Sequence, residues 1–259
     1  MKSATTGLLV TMVFTSACTL QAATFDSAGV TIHYEVRGAG EPVVLIHGLG
    51  SSAAENWDMT GITALLAQRY QVITLDCRGH GQSDKPQEAG SYGTKMVDDV
   101  VRLLDHLKIR QAHVVGYSMG GMITMKLLTM RTRRVRSAVL GGMGWFQDGS
   151  LAQAFLAASP GYGSAPAACV QELGQLAVTE AEVRSVRTPV TVIVGSQDFL
   201  KLLFVDPLAT VRPDWPVYVV EGAGHINCVI SQDFRAFLQS ALEGAALGRR
   251  WRRESRPGW

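Results

Sequence analysis

The stretch that most restricts how this chain can fold runs over residues 112–130 and reads AHVVGYSMGGMITMKLLTM. Residues 112–116 form a short apolar run with the β-branched pair Val114 and Val115, as a buried strand requires, and the residues from Met119 onward suit a helix. Ser118 therefore stands at a strand-to-helix junction. Gly116, Ser118 and Gly120 spell G-x-S-x-G. A turn this sharp strains the backbone at the serine, and glycines two before and two after let neighbouring chain pass where a Cβ would block it. The hydroxyl is held out of the turn, which makes Ser118 a candidate nucleophile. A serine hydroxyl is weakly nucleophilic near neutral pH, so the rest of the chain must supply a base, a group to orient it and donors for a developing oxyanion.

The pattern on either side of this junction predicts an alternation of strands and helices. Residues 30–38 (VTIHYEVRG) alternate apolar and polar, whereas 43–47 (VVLIH) and 71–76 (QVITLD) are the continuous apolar runs of strands covered on both faces. Between them, 57–69 carries apolar residues at helical spacing, giving a strand-helix-strand unit. Residues 96–107 predict an amphipathic helix, with Val97, Val100, Val101, Leu104 and Leu107 on one face and Asp98, Asp99 and Arg102 on the surface. Further strands are expected at 135–140, 190–194 and 217–220, and a closing helix at 231–242. This is the α/β class, a mostly parallel central sheet flanked by helices. Residues 143–187 break the rhythm with mixed glycines, prolines and aromatics; about 45 residues exceed an ordinary connection, so they are expected to form a small lid over the site.

Strand 43–47 ends in His47-Gly48-Leu49-Gly50, flexible backbone at the carboxyl edge of the sheet, where open α/β sheets bind ligands. The backbone N–H groups of Leu49 and Met119 are the expected oxyanion donors. His47 and His80 are expected to be structural, and Arg78 and Asp84 to pair and stiffen the polar loop 76–84 (DCRGHGQSD).

The 259 residues are read as a leader (1–23), one domain (24–245) and a basic tail (246–259). Lys2, the apolar stretch 7–14 and the small residues Ser16, Ala17, Ala22 and Ala23 form a secretory pattern, so an exported, periplasmic or secreted protein is expected. Ser16-Ala17-Cys18 resembles a lipoprotein site in part, with Thr15 where an aliphatic residue belongs. Residues 249–256 (RRWRRESR) hold five arginines against one glutamate, so the formal charge of +2 belongs to this end and no nucleic-acid partner is implied. Membrane contact is expected only through lipidation at Cys18 or through this tail. Cys18, Cys77, Cys169 and Cys228 form no C-x-x-C pair, and if Cys18 is removed at most one disulfide can form. No nucleotide fingerprint or histidine pair at metal spacing is present, so neither cofactor nor metal is expected.

Two more polar residues follow predicted strands: Asp198 after G-S-Q, and His225 after G-A-G, giving the chain order Ser118, Asp198, His225. Asp206 is a rival further along the same connection. With H-G-L-G at 47–50, D-C-R-G-H-G-Q-S-D at 76–84 and G-Y-S-M-G-G at 116–121, the chain over residues 30–242 resembles the α/β-hydrolases. The resemblance implies Ser118 as nucleophile, His225 as general base and acid, Asp198 as its orienting carboxylate, and Leu49 and Met119 as oxyanion donors. A serine in the elbow, not an aspartate, implies acyl transfer and a small-molecule ester of small to medium acyl length. The same elbow resembles those of enol-lactonases and cofactor-free haloperoxidases, and some proteins of this fold only bind ligands; the sequence leaves these alternatives open.

Overall fold

The computed structural model describes residues 21–254. Its strands are β1 (Gln21–Asp26), β2 (Thr31–Arg37), β3 (Glu41–Ile46), β4 (Tyr70–Leu75), β5 (Ala112–Tyr117), β6 (Val135–Gly141), β7 (Val190–Gly195) and β8 (Val217–Val220). They form one sheet in the order β1-β2-β4-β3-β5-β6-β7-β8. The β1–β2 and β2–β4 pairs are antiparallel and every other pair is parallel. The expected α/β class with a mostly parallel sheet is the one observed.

Continuous apolar strands follow from helices on both faces, because successive side chains point to opposite sides. Val44, Ile46, Ile73, Leu75, Val114 and Leu140 meet α2 (Thr94–His106) and α3 (Met119–Met130) in one core. Val43, Leu45, Val72, Val115 and Val139 meet α1 (Ile62–Leu66) and α8 (Gln232–Glu254) in the other. Each such side chain contributes roughly 1.5–3 kcal/mol by leaving water. Between β6 and β7 the chain adds α4 (Leu151–Ala157), α5 (Ala167–Glu172) and α6 (Glu180–Ser185) without adding a strand to the sheet. The remaining α-helix, α7 (Asp206–Val211), lies in the connection from β7 to β8.

Several local expectations change. Residues 21–23, placed at the end of the leader, pair as an edge strand with Val36, Glu35 and Tyr34, and small residues such as Ala22 and Ala23 suit an edge strand as well as a cleavage zone. The rest of that segment, including Lys2 and Cys18, lies outside the described residues. The expected helix over 57–69 is a short wide turn at Ala54–Asp58 followed by α1, and the closing helix continues into the basic end as far as Glu254. Asp99, expected on the surface, is buried: its carboxylate accepts from Arg78 Nε at 2.7 Å and Nη2 at 2.6 Å, and from Ser27 Oγ at 2.5 Å. Burial raises the Asp99 pKa, and the guanidinium offsets that only in part. Arg78 thus pairs with Asp99 and not with Asp84, which accepts from the Thr31 N–H at 2.7 Å. Cys77, Cys169 and Cys228 are buried free thiols.

Candidate active site

The turn between β5 and α3 places Ser118 at φ 52° and ψ −114°, a conformation that costs a non-glycine residue of order 1–3 kcal/mol. The glycines are required by the close packing that holds it. A Cβ on Gly116 would lie 2.0 Å from the carbonyl oxygen of Gly120, and one on Gly120 would lie 2.0 Å from that of Ile46. The Ser118 N–H donates to Gly141 O at 2.8 Å, which ties the turn to the end of β6.

His225, in the loop after β8, has Nε2 2.9 Å from Ser118 Oγ and Nδ1 2.7 Å from Asp198 Oδ2. An ionised carboxylate can only accept, so Nδ1 carries the proton and Nε2 is free to accept from the serine. Asp198 is itself held: it is 3% exposed and its Oδ1 accepts from the Leu200 N–H at 2.9 Å. Asp206, the rival, pairs with Lys201 at 2.7 Å. Gly142, at φ 57°, leaves room at the end of β6 for both the Tyr117 ring and the imidazole, since a Cβ there would approach Tyr117 Cζ to 2.9 Å and His225 Cε1 to 3.2 Å.

The loop at 47–50 lies against Ser118: a Cβ on Gly48 would be 3.4 Å from Ser118 Cβ. His47 is fully buried, and its Nε2 accepts from the Cys77 N–H at 3.0 Å, so its Nδ1–H donates to Gly48 O at 2.7 Å. Burial lowers its pKa and keeps it neutral. The peptide 48–49 is planar and trans, so fixing its carbonyl on one side aims the Leu49 N–H to the other. The Met119 N–H opens α3 and therefore has no acceptor within the helix. Leu49, Ser118 and Met119 line the same cavity. His80 Nδ1 lies 3.1 Å from Arg78 O, and neither His47 nor His80 lines the cavity.

Two supports were not legible in the sequence. Asn56 Oδ1 accepts from the Gly48 N–H at 2.9 Å, holding the other side of the same loop. Tyr117 donates its hydroxyl to His225 O at 2.5 Å, with its ring 5.6 Å from the imidazole. The only sequence signal for Tyr117 was its place beside the serine, and Asn56 carries none.

The cavity has a volume of about 1010 Å³. Met122, Met143, Phe146 and Leu173 form buried walls; Leu151, Phe155, Phe199 and Ile226 are exposed at its edges. The insertion 143–187 thus supplies wall and edge. Among the described residues no helix is long and apolar enough to cross a membrane.

Residues 41–164 match a family model described as alpha/beta hydrolase fold. Among curated relatives, the chain is 38% identical over 130 residues to the dihydrolipoyllysine-residue acetyltransferase component of the acetoin cleaving system of Pseudomonas putida, covering 49% of this chain and 34% of that protein. The chain spans between 30% and 41% of the length of the first such relatives. Among solved structures, one from work on carboxylesterases of Nitrososphaera gargenis superposes with a TM-score of 0.73 at 20% identity, over 88% of this chain and all of that one. The enol-lactonase of Burkholderia xenovorans LB400 superposes with a TM-score of 0.70 at 21% identity, over 85% of this chain and all of that one.

Proposed function

We propose, from the premise that this chain is an α/β-hydrolase-fold protein, that it is a serine hydrolase acting on small-molecule carboxylic esters of small to medium acyl length through an acyl-enzyme. The observation that carries this reading is the unbroken hydrogen-bond line from Ser118 Oγ through His225 to Asp198, at 2.9 and 2.7 Å, opening onto an apolar cavity. Ser118 Oγ attacks the ester carbonyl carbon while its proton passes to His225 Nε2. The carbonyl oxygen becomes an oxyanion facing the N–H groups of Leu49 and Met119. Collapse breaks the ester bond, and His225 returns the proton to the departing alcohol. Water then attacks the acyl-Ser118, losing its proton to His225, and the acid leaves as Ser118 is reprotonated. Asp198 stays ionised throughout and stabilises the imidazolium. Each oxyanion donor of this kind is worth roughly 3–4 kcal/mol in the transition state.

Hydrolysis of p-nitrophenyl esters from acetate to long acyl chains, by the wild type and by Ser118→Ala, tests this. A drop of about 10⁴-fold or more supports it. Equal rates in the two proteins would refute it. A lactone in the same assay decides whether cyclic esters, the substrates implied by the name of the enol-lactonase neighbour, share the site.

A further inference from the structure

Large apolar side chains scattered singly on a surface need no explanation, but a contiguous group of them does. Of the nine large apolar side chains exposed among the described residues, seven line the mouth of the cavity above Ser118. They come from three separate pieces of chain. Phe155, on α4, is 75% exposed; Phe199, just after Asp198, is 69%; Ile226, just after His225, is 77%. An eighth, Leu202, is 72% exposed in the turn that also carries Phe199 and does not line the cavity.

The charge around this rim is as informative as its hydrophobicity. Segments 151–162, 199–203 and 226–230 contain one charged side chain, Lys201, and its ammonium is paired with Asp206 at 2.7 Å. A surface for a protein partner normally carries a polar, charged margin around its apolar centre. A second copy seated on this rim would also cover the cavity mouth that these three segments border, above Ser118. An acyl phase has neither requirement: it carries no charge to match, and it covers the rim while bringing ester to the opening.

We infer that the rim docks on the surface of a lipid aggregate through these side chains, and that the cavity draws its substrate from that phase. The second half rests on the reading of Ser118 as an ester-cleaving nucleophile; the docking does not. The exposed Glu55 also lines the cavity, from outside these segments; because the three docking segments themselves carry no unpaired charge, docking is independent of the headgroup charge and insensitive to salt. The contact is distinct from any made by the leader or by the basic end of α8.

The test uses the full chain as Ser118→Ala, with vesicles of non-hydrolysable diether phosphatidylcholine, with and without anionic diether phosphatidylglycerol, in a flotation assay. Docking predicts co-flotation with the zwitterionic vesicles that is unchanged between low and high salt. Adding Leu202→Glu is expected to weaken it by about ten-fold. In the wild-type background Leu202→Glu leaves hydrolysis of dissolved p-nitrophenyl acetate unchanged and slows hydrolysis of vesicle-borne esters. Binding that requires phosphatidylglycerol and vanishes with salt would assign membrane contact to the arginines and overturn the inference. So would equal flotation with and without Leu202→Glu, or a concentration-dependent dimer that Leu202→Glu abolishes. Flotation of Ser118→Ala by a protein whose wild type cleaves no ester would leave the docking standing and refute the proposed activity instead.

Discussion

Acid should destabilise this protein through a histidine that takes no part in the proposed chemistry. His80 is 1% exposed, its Nδ1–H faces Arg78 O, and its Nε2 is buried with no partner. Burial, aided by the neighbouring His47, lowers its pKa from 6.5 to about 4. The unfolded chain therefore takes up a proton near pH 6.5 that the folded one refuses until about pH 4. Stability is full above pH 6.5, falls between 6.5 and 4, and levels off below. By pH 4 the loss from this group is about 3 kcal/mol, at 1.36 kcal/mol per pKa unit. In a protein of this size that corresponds to a Tm lower by about 6–12 °C. His47, also depressed by burial, adds to the loss in the same direction. The assay is urea unfolding from pH 7 to pH 4 for the wild type and His80→Asn, which keeps a donor toward Arg78 O but does not titrate. The difference between the two curves removes the carboxylates, which act on both alike. It should change by about 3 kcal/mol across the interval. Parallel curves would refute the argument that burial holds His80 neutral.

Three other outcomes follow from the site and its packing. Asn56→Ala should lower kcat about ten- to a hundred-fold with little change in KM, because the loop that carries the Leu49 donor loses its tether, while Asn56→Asp keeps an acceptor for the Gly48 N–H and recovers part of the loss. A rise in KM at constant kcat would count against that role. Gly120→Ala should destabilise by about 3 kcal/mol or fail to fold, since backbone on both sides of the contact must move, whereas Gly244→Ala on α8 meets nothing within 4 Å and should be neutral or slightly stabilising in the same urea melts. Cys77, Cys169 and Cys228 should resist iodoacetamide at pH 8 until urea unfolds the chain, because burial raises all three thiols, Cys169 to about 12 and Cys228 to about 11; rapid alkylation of the native protein would contradict it.

What could be read from the sequence was what depends on local chemistry. The strands at 43–47, 71–76 and 217–220 are bounded by the residues that end them, and Ser118, Asp198 and His225 each lie in the loop that follows a strand, so their meeting follows from a parallel sheet. The supports were not legible because they depend on distant partners. Nothing near Asn56 in sequence indicates that its amide reaches Gly48, and Arg78 lies six residues from Asp84 yet chooses Asp99, which brings two guanidinium nitrogens into register with two carboxylate oxygens. The small residues Ala22 and Ala23 fit both an edge strand and a cleavage zone, and the pairing with β2 shows an extended backbone there. The exposed rim was invisible for the same reason: apolar residues at 151–162 read equally well as core.

The route of His225 over Gly142 has a consequence for how such a protein can change. The imidazole reaches Ser118 by crossing the end of β6, and the chain leaving β6 immediately begins the insertion that supplies Phe155 and Leu173 to the cavity. The groups proposed to break the ester bond therefore belong to the loops after β5, β7 and β8, while much of what a substrate would touch hangs from the one intervening strand end that contributes none of them. Reactivity and taste are carried on different lengths of chain. A lineage, or an engineer, could exchange residues 143–187 wholesale and inherit a working nucleophile with a new appetite.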